Sequence, residues 1–248
     1  MNAAAMRIYL FEYTGNSHSL NNGYLNPFFL LSENQTNNSY KNLLIMEKNN
    51  LNIKKPSAIE IEKCLQIWET HAEYEKYRCQ GNSAIMLFKE QYPKNTEIQE
   101  ILLKVSVLND YYSTNIRDTF SVAKHIADLK IDSRLSSGNT DIIDEIAKIN
   151  LGEKSMRFYS FATKYCSLHY PDHYPIYDSI VANMLAYFKS QDKFAQFTKK
   201  GLRDYPTFKN VILEFQKFYE LEKFSLREID KYLWVLGKSV LNSKNKQL

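Results

Sequence analysis

The chain has 248 residues, 44% hydrophobic and 24% charged, a balance that suits a folded core and excludes an extended disordered chain. Its formal net charge is +4, which permits nucleic-acid binding without demanding it. No apolar run approaches the ~18 residues of a membrane span, and the N-terminus lacks the basic-then-apolar pattern of a secretory leader. Cys64, Cys79 and Cys166 are odd in number, widely spaced and without a CxxC pair. They read as reduced thiols of a cytoplasmic protein, and they are too few to hold an iron–sulfur cluster.

Residues 1–50 differ from the rest. Arg7 to Tyr13 and Pro27 to Leu31 read as strands, with a turn signal at Asn21-Asn22-Gly23. Glu33 to Asn42 is rich in Asn and Ser and reads as a loop. A small N-terminal β hairpin or sheet is expected there, beside a helical domain over residues 51–248.

From residue 57 the chain reads as helix after helix. Ser57 and Glu60, Thr96 and Gln99, and Ser225 and Glu228 have capping-box spacing. Ile61, Cys64, Leu65 and Trp68 follow helical spacing, as do Ile98, Ile101, Leu102, Val105 and Leu108, and Ile229, Leu233, Leu236 and Val240. A further helix is expected over 82–91, ended by Pro93. Trp68 and Trp234 fit apolar stripes and read as core. The many lysines and arginines after Lys193, Arg227 among them, are interleaved with acids and read as a solvated face.

Leu108 to Ile116 is a helix running into a polar and aromatic cluster, Asn109-Asp110-Tyr111-Tyr112-Ser113-Thr114. Aromatic faces and amides suit nucleobases. The same residues would also make an ordinary helix C-terminus.

The chain is organised around residues 151–188, which read as helix, connector, helix. Phe158, Phe161, Ala162 and Tyr165 make one apolar helical face. The connector Tyr170-Pro171-Asp172-His173-Tyr174-Pro175 cannot continue that helix, because proline lacks an N–H and disfavours helix in the residue before it. Ile180, Val181, Met184, Leu185 and Phe188 form the next stripe. Asp178 therefore stands at a helix N-terminus, where the macrodipole favours a carboxylate. Taken alone it is a plain N-cap.

Pro175-Ile176-Tyr177-Asp178-Ser179-Ile180-Val181 after a helix resembles the helix-hairpin-helix (HhH-GPD) DNA glycosylases, and Phe161-Ala162-Thr163-Lys164 is more similar to their 8-oxoguanine-glycosylase-like branch. The resemblance spans residues 96–190. It implies a mainly α, HhH-GPD-like fold, with Asp178 catalytic and Lys164 either its partner or a nucleophile. It also implies that Asn109, Tyr112, Ser113 and Thr114 lie near a flipped base; Lys154, Arg157 and Tyr177 are further candidates to meet base or DNA, and His169 and His173 are either such contacts or loop residues satisfied locally. The family's usual glycine-rich phosphate-binding turn departs here to Asn150-Leu151-Gly152-Glu153-Lys154, with one glycine. Tyr159, 19 residues before Asp178, stands where bifunctional members carry lysine.

The expectation is therefore a monofunctional DNA glycosylase, a monomer without cofactor, metal or membrane partner, that leaves an abasic site in double-stranded DNA. His169 and His173 are four apart but separated by Pro171, so they cannot form a helical metal pair. The absent lysine and altered turn point away from routine 8-oxoguanine repair; the resemblance extends to glycosylases of anti-phage defence, which implies hypermodified, for example glucosylated hydroxymethyl, cytosine in phage DNA as the target, ranked ahead of the alternative of 8-oxoguanine repair. The competing class is a non-catalytic DNA-binding module on a decayed glycosylase fold.

Overall fold

In a computed structural model, residues 53–245 are described; the N-terminal strands expected within residues 1–50 lie outside them. The described chain is mainly helical, with one small antiparallel sheet. Among these residues no helix is long and apolar enough to cross a membrane.

Helix α1 (Ala58–Thr70) starts at Ser57, whose side chain accepts from the Glu60 N–H. Helix α2 (Glu75–Ile85) continues through a π-helical turn, Met86–Gln91, so the helix expected over 82–91 begins earlier. Helix α3 (Ile98–Tyr112) buries Ile101, Val105 and Leu108. Its Thr96–Gln99 box does not form: Glu97 is the N-cap and makes no side-chain cap bond. Instead the Asp132 carboxylate takes both the backbone N–H of Asn95 (3.0 Å) and its side-chain amide (2.7 Å). That long-range anchor decides where the chain turns into the helix.

Helices α4 (Thr119–Leu129), α5 (Asp132–Ser136) and α6 (Ile142–Ala147) follow. Then comes a departure from the all-helical reading. Strands β1 (Lys148–Leu151) and β2 (Lys154–Arg157) pair antiparallel, with Ile149 opposite Met156 and Leu151 opposite Lys154. Gly152 closes the turn at φ 62°, a left-handed conformation that glycine adopts at little cost. The expected helix over 151–158 is thus a β-hairpin, and helix α7 runs from Tyr159 to His169 with Phe158 as N-cap.

Helix α7 is buried from Phe161 to His169. The connector after it is fixed by tyrosines. The Tyr174 hydroxyl donates toward the carbonyls of Leu135 (3.1 Å) and Asn139 (3.0 Å). Tyr205 donates to Pro175 O at 3.0 Å and Tyr159 to Leu202 O at 3.1 Å. Helix α8 (Ser179–Asp192) then packs against helix α10 (Leu226–Asn245), with α9 (Tyr205–Phe218) between them in sequence. The Ser225–Glu228 box closes reciprocally, with the Ser225 N–H and hydroxyl both donating to Glu228 at 2.8 Å. Trp68 and Trp234 are half-buried and meet edge to face at 5.9 Å, inside a cluster with Tyr74 and Tyr77.

Helices α8 and α10 pack tightly at Gly237. A Cβ there would sit 2.2 Å from Ile180 Cγ2 and 3.2 Å from Met184 Cγ. Gly237→Ala is therefore expected to cost about 1–3 kcal/mol by overpacking. Thermal unfolding checks this, and an unchanged Tm would show that the helices part freely.

Candidate functional site

The site is built where α7, α8 and the C-terminus of α3 meet. Asp178 is the N-cap of α8, and its Oδ1 accepts from the Ile180 N–H at 2.8 Å. Its other oxygen, Oδ2, lies 3.7 Å from Lys164 Nζ. The N–H and the ammonium hold the carboxylate from two sides. Its side chain keeps 25% exposure, whereas that of Lys164 keeps 5%.

Lys164 is held from three sides. Its ammonium donates to Ser160 Oγ at 2.5 Å, faces Asp178, and lies 4.9 Å from the centroid of the Tyr112 ring. Ser160 Oγ donates in turn to Tyr177 O at 3.0 Å, and the Tyr177 N–H donates to Thr163 Oγ1 at 3.1 Å. These bonds tie α7 to the residue preceding Asp178. The helical period supplies them, because Ser160, Thr163 and Lys164 fall at i, i+3 and i+4 on one face.

The Tyr112 ring lies 4.1 Å from that of Tyr111, tilted by 34°. Burial pushes the Tyr112 phenol up from its ordinary value, against the pull of Arg227. Tyr111 donates to Tyr77 O at 3.1 Å, which fixes the pair.

The other residues singled out from the sequence are distributed differently. Asn109 closes the turn after α3: its Oδ1 accepts from Thr114 Oγ1 (2.8 Å) and the Ile116 N–H (2.9 Å), and its amide donates to Ile116 O. Asn109 and Thr114 thus have their side-chain polar groups engaged within the turn. Ser113 is exposed in a left-handed conformation, φ 49°. Tyr177 is half-buried against Tyr159 (4.8 Å) and Phe208 (5.4 Å).

Arg157 lies over the Tyr159 ring at 4.4 Å and bonds Asp144 and Arg203 O. It lines a cleft of about 460 Å³ with Asp144, Lys148, Arg203 and Tyr205. Neither Asp178 nor Lys164 is among the residues that line it. Lys154 is exposed on the β-hairpin. His173 is exposed beside Gly138. His169 is buried between Phe88 (4.9 Å) and Tyr165 (5.4 Å). Burial, helped by the charges of Lys104 and Lys89, pulls its imidazole down to about 3. It is neutral at pH 7, and its Nε2 has no hydrogen-bond partner among the described residues.

Two residues near the site escaped the sequence reading: Arg227 and Asp230 of α10. Their i, i+3 spacing and acid–base alternation match a solvated helix face. Both are half-buried in the fold.

Residues 60–173 match the family HI_0787_N, described as an N-terminal domain. A Haemophilus influenzae protein described as uncharacterized is 45% identical over 153 residues, which cover 61% of this chain and 73% of that protein. No solved structure matches the chain significantly.

Proposed function

The chain belongs to the HI_0787_N family; from its own residues we propose that it is a monofunctional DNA glycosylase that hydrolyses the N-glycosidic bond of a modified base. One observation carries the reading. A part-exposed carboxylate stands at a helix N-terminus with an ammonium 3.7 Å away and an aromatic ring beneath that ammonium.

Such a group suits the chemistry. The target nucleotide leaves the duplex and enters the protein. As the bond to the base breaks, positive charge grows on the sugar. A fixed carboxylate facing that charge stabilises it without reorganising. One oxygen of Asp178 is spent on the Ile180 N–H, which fixes the orientation of the other. Lys164 and Ser160 hold the pair in place.

Lys164 is better suited to holding charge than to attacking carbon. A Schiff-base nucleophile needs a free amine pair, and this ammonium donates to Ser160 and faces Asp178. Hydrolysis without strand cleavage is therefore expected. Borohydride added during the reaction should trap no protein–DNA adduct, while the free base is detected by mass spectrometry. An adduct that disappears in Lys164→Gln would make Lys164 the nucleophile instead.

The proposed substrate is duplex DNA. Glucosylated hydroxymethylcytosine, and hence defence against phage DNA, ranks ahead of 8-oxoguanine repair, because a β-hairpin replaces the tight glycine-rich turn and Tyr159 replaces the nucleophilic lysine. A second reading, a DNA-binding module without chemistry, is favoured by the Asp178 cap itself. An N-cap aspartate stabilises its helix whether or not it does anything else.

A further inference from the structure

The cleft of about 460 Å³ beside the β-hairpin has no part in the roles above, and its size suits a small molecule. The start of α6, the strand residues Lys148 and Arg157, and the start of α9 wall it. Tyr205 and Pro206 form its least polar part. Tyr205 is fixed there, because it is buried and its hydroxyl is committed to Pro175 O.

The lining carries charge of both signs, and most of that charge is already spent. Asp144 sits between two cations. Arg157 donates to its Oδ1 from Nε (3.1 Å) and Nη2 (2.9 Å), and Lys148 Nζ reaches its Oδ2 at 2.5 Å. Arg134 holds both oxygens of Glu145, at 2.7 and 2.8 Å. Asp204 caps α9, its Oδ2 accepting from the Thr207 N–H and hydroxyl. What is left over is the Asp141 carboxylate and the Arg203 guanidinium. Both residues are exposed, and neither of these groups makes a close ion pair among the described residues.

Bonds set the places of both. Arg157 Nη2 also donates to Arg203 O at 2.8 Å, so the two arginines are neighbours. Asp141 stands three residues before Asp144, whose N–H donates to Asp141 O at 3.1 Å. The two carboxylates are therefore one helical turn apart. Each unspent charge is thus one neighbour away from the Asp144–Arg157 ion pair. The Arg157 guanidinium is held over Tyr159 at 4.4 Å, with Nε and Nη2 engaged and Nη1 left to donate.

From these unspent charges of opposite sign we propose that the cleft binds a small zwitterion, an amino acid or a short homologue of one. Its carboxylate meets the guanidiniums of Arg203 and Arg157, whose planar forks suit a carboxylate. Its ammonium meets Asp141, and its carbon chain lies along Tyr205 and Pro206. A simple anion would leave Asp141 facing like charge, and a simple amine would leave Arg203 doing so. Such binding is independent of the glycosylase reading.

Thermal-shift titration of the full chain tests this with glycine, β-alanine and γ-aminobutyrate, against butyrate, butylamine and inorganic phosphate. At least one zwitterion is expected to raise the Tm saturably, and the other three compounds are expected to leave it unchanged. By isothermal titration, Arg203→Gln and Asp141→Asn are each expected to weaken that zwitterion about ten- to hundredfold. Both side chains are exposed, so the unliganded variants should melt like the wild type. No shift with any zwitterion would overturn the proposal. An equal shift with butyrate, phosphate or butylamine would reduce the cleft to a site for a single charge and overturn it as well. Undiminished binding in both variants would put the ligand elsewhere, with the same consequence.

Discussion

Asp178→Asn is expected to slow base release by about 10²–10³-fold while leaving the protein folded and able to bind DNA. The two effects separate because asparagine is as good an N-cap as aspartate. The variant can keep the acceptor for the Ile180 N–H, now 2.8 Å away, but it loses the negative charge beside Lys164. Lys164 retains Ser160 and the Tyr112 ring, so the stability cost should be about 1 kcal/mol. Single-turnover rates, circular dichroism melts and DNA titrations together check this. An unchanged rate would reduce Asp178 to its capping role.

Lys104→Met is expected to be the most destabilising single change, by about 3–5 kcal/mol. The Lys104 side chain is fully buried in α3. Its ammonium donates to Tyr92 O at 3.0 Å, Lys94 O at 2.7 Å and Asn95 Oδ1 at 2.7 Å. Asn95 also accepts from the Tyr165 hydroxyl at 2.5 Å and is fixed by Asp132. Methionine would match the stem but leave these acceptors without their donor. An unsatisfied buried acceptor costs about 1–3 kcal/mol.

Burial pulls the Lys104 ammonium down to about 8, against the charges of Asp132 and Glu100. Between pH 8 and its ordinary 10.5 the unfolded chain binds more protons at this group than the folded one. The wild type should thus gain stability relative to Lys104→Met as pH rises across that window. Urea melts at pH 7 and pH 10 measure both effects. A loss under about 1 kcal/mol would mean that water replaces the ammonium.

The contrast between Asp178 and Lys104 explains what the sequence revealed. Asp178 was legible because its cause is local: prolines break the chain at Pro171 and Pro175, and an apolar stripe restarts at Ile180. Tyr112 and Lys164 were also legible, although only the fold places the ring 4.9 Å from the ammonium. Lys104 was hidden. It lies three residues after Ile101 and four before Leu108, on the apolar face, but a lysine ordinarily points outward. The acceptors that bury it come from the turn before α3 and could not be read from spacing.

The β-hairpin was missed for a similar reason. Ile149 and Leu151 alternate with polar residues for only four positions, and Gly152 fits equally the one glycine of a departed phosphate-binding turn. Thr96 had the right spacing for a capping box, but Asp132, 37 residues beyond Asn95, overrode it. By spacing alone Asp230 is one charge on a solvated helix face, whereas in the fold it is half-buried.

The most direct test of the account is to count abasic sites in DNA after incubation with the wild-type protein. The duplexes would carry 8-oxoguanine, or plain, hydroxymethylated or glucosylated cytosine, and alkali would reveal the sites. The account expects alkali-labile sites in at least one modified duplex, most of all the glucosylated one, and no strand breaks before alkali. DNA that is bound by the protein but acquires no abasic sites on any duplex would contradict it and leave a binding module in its place.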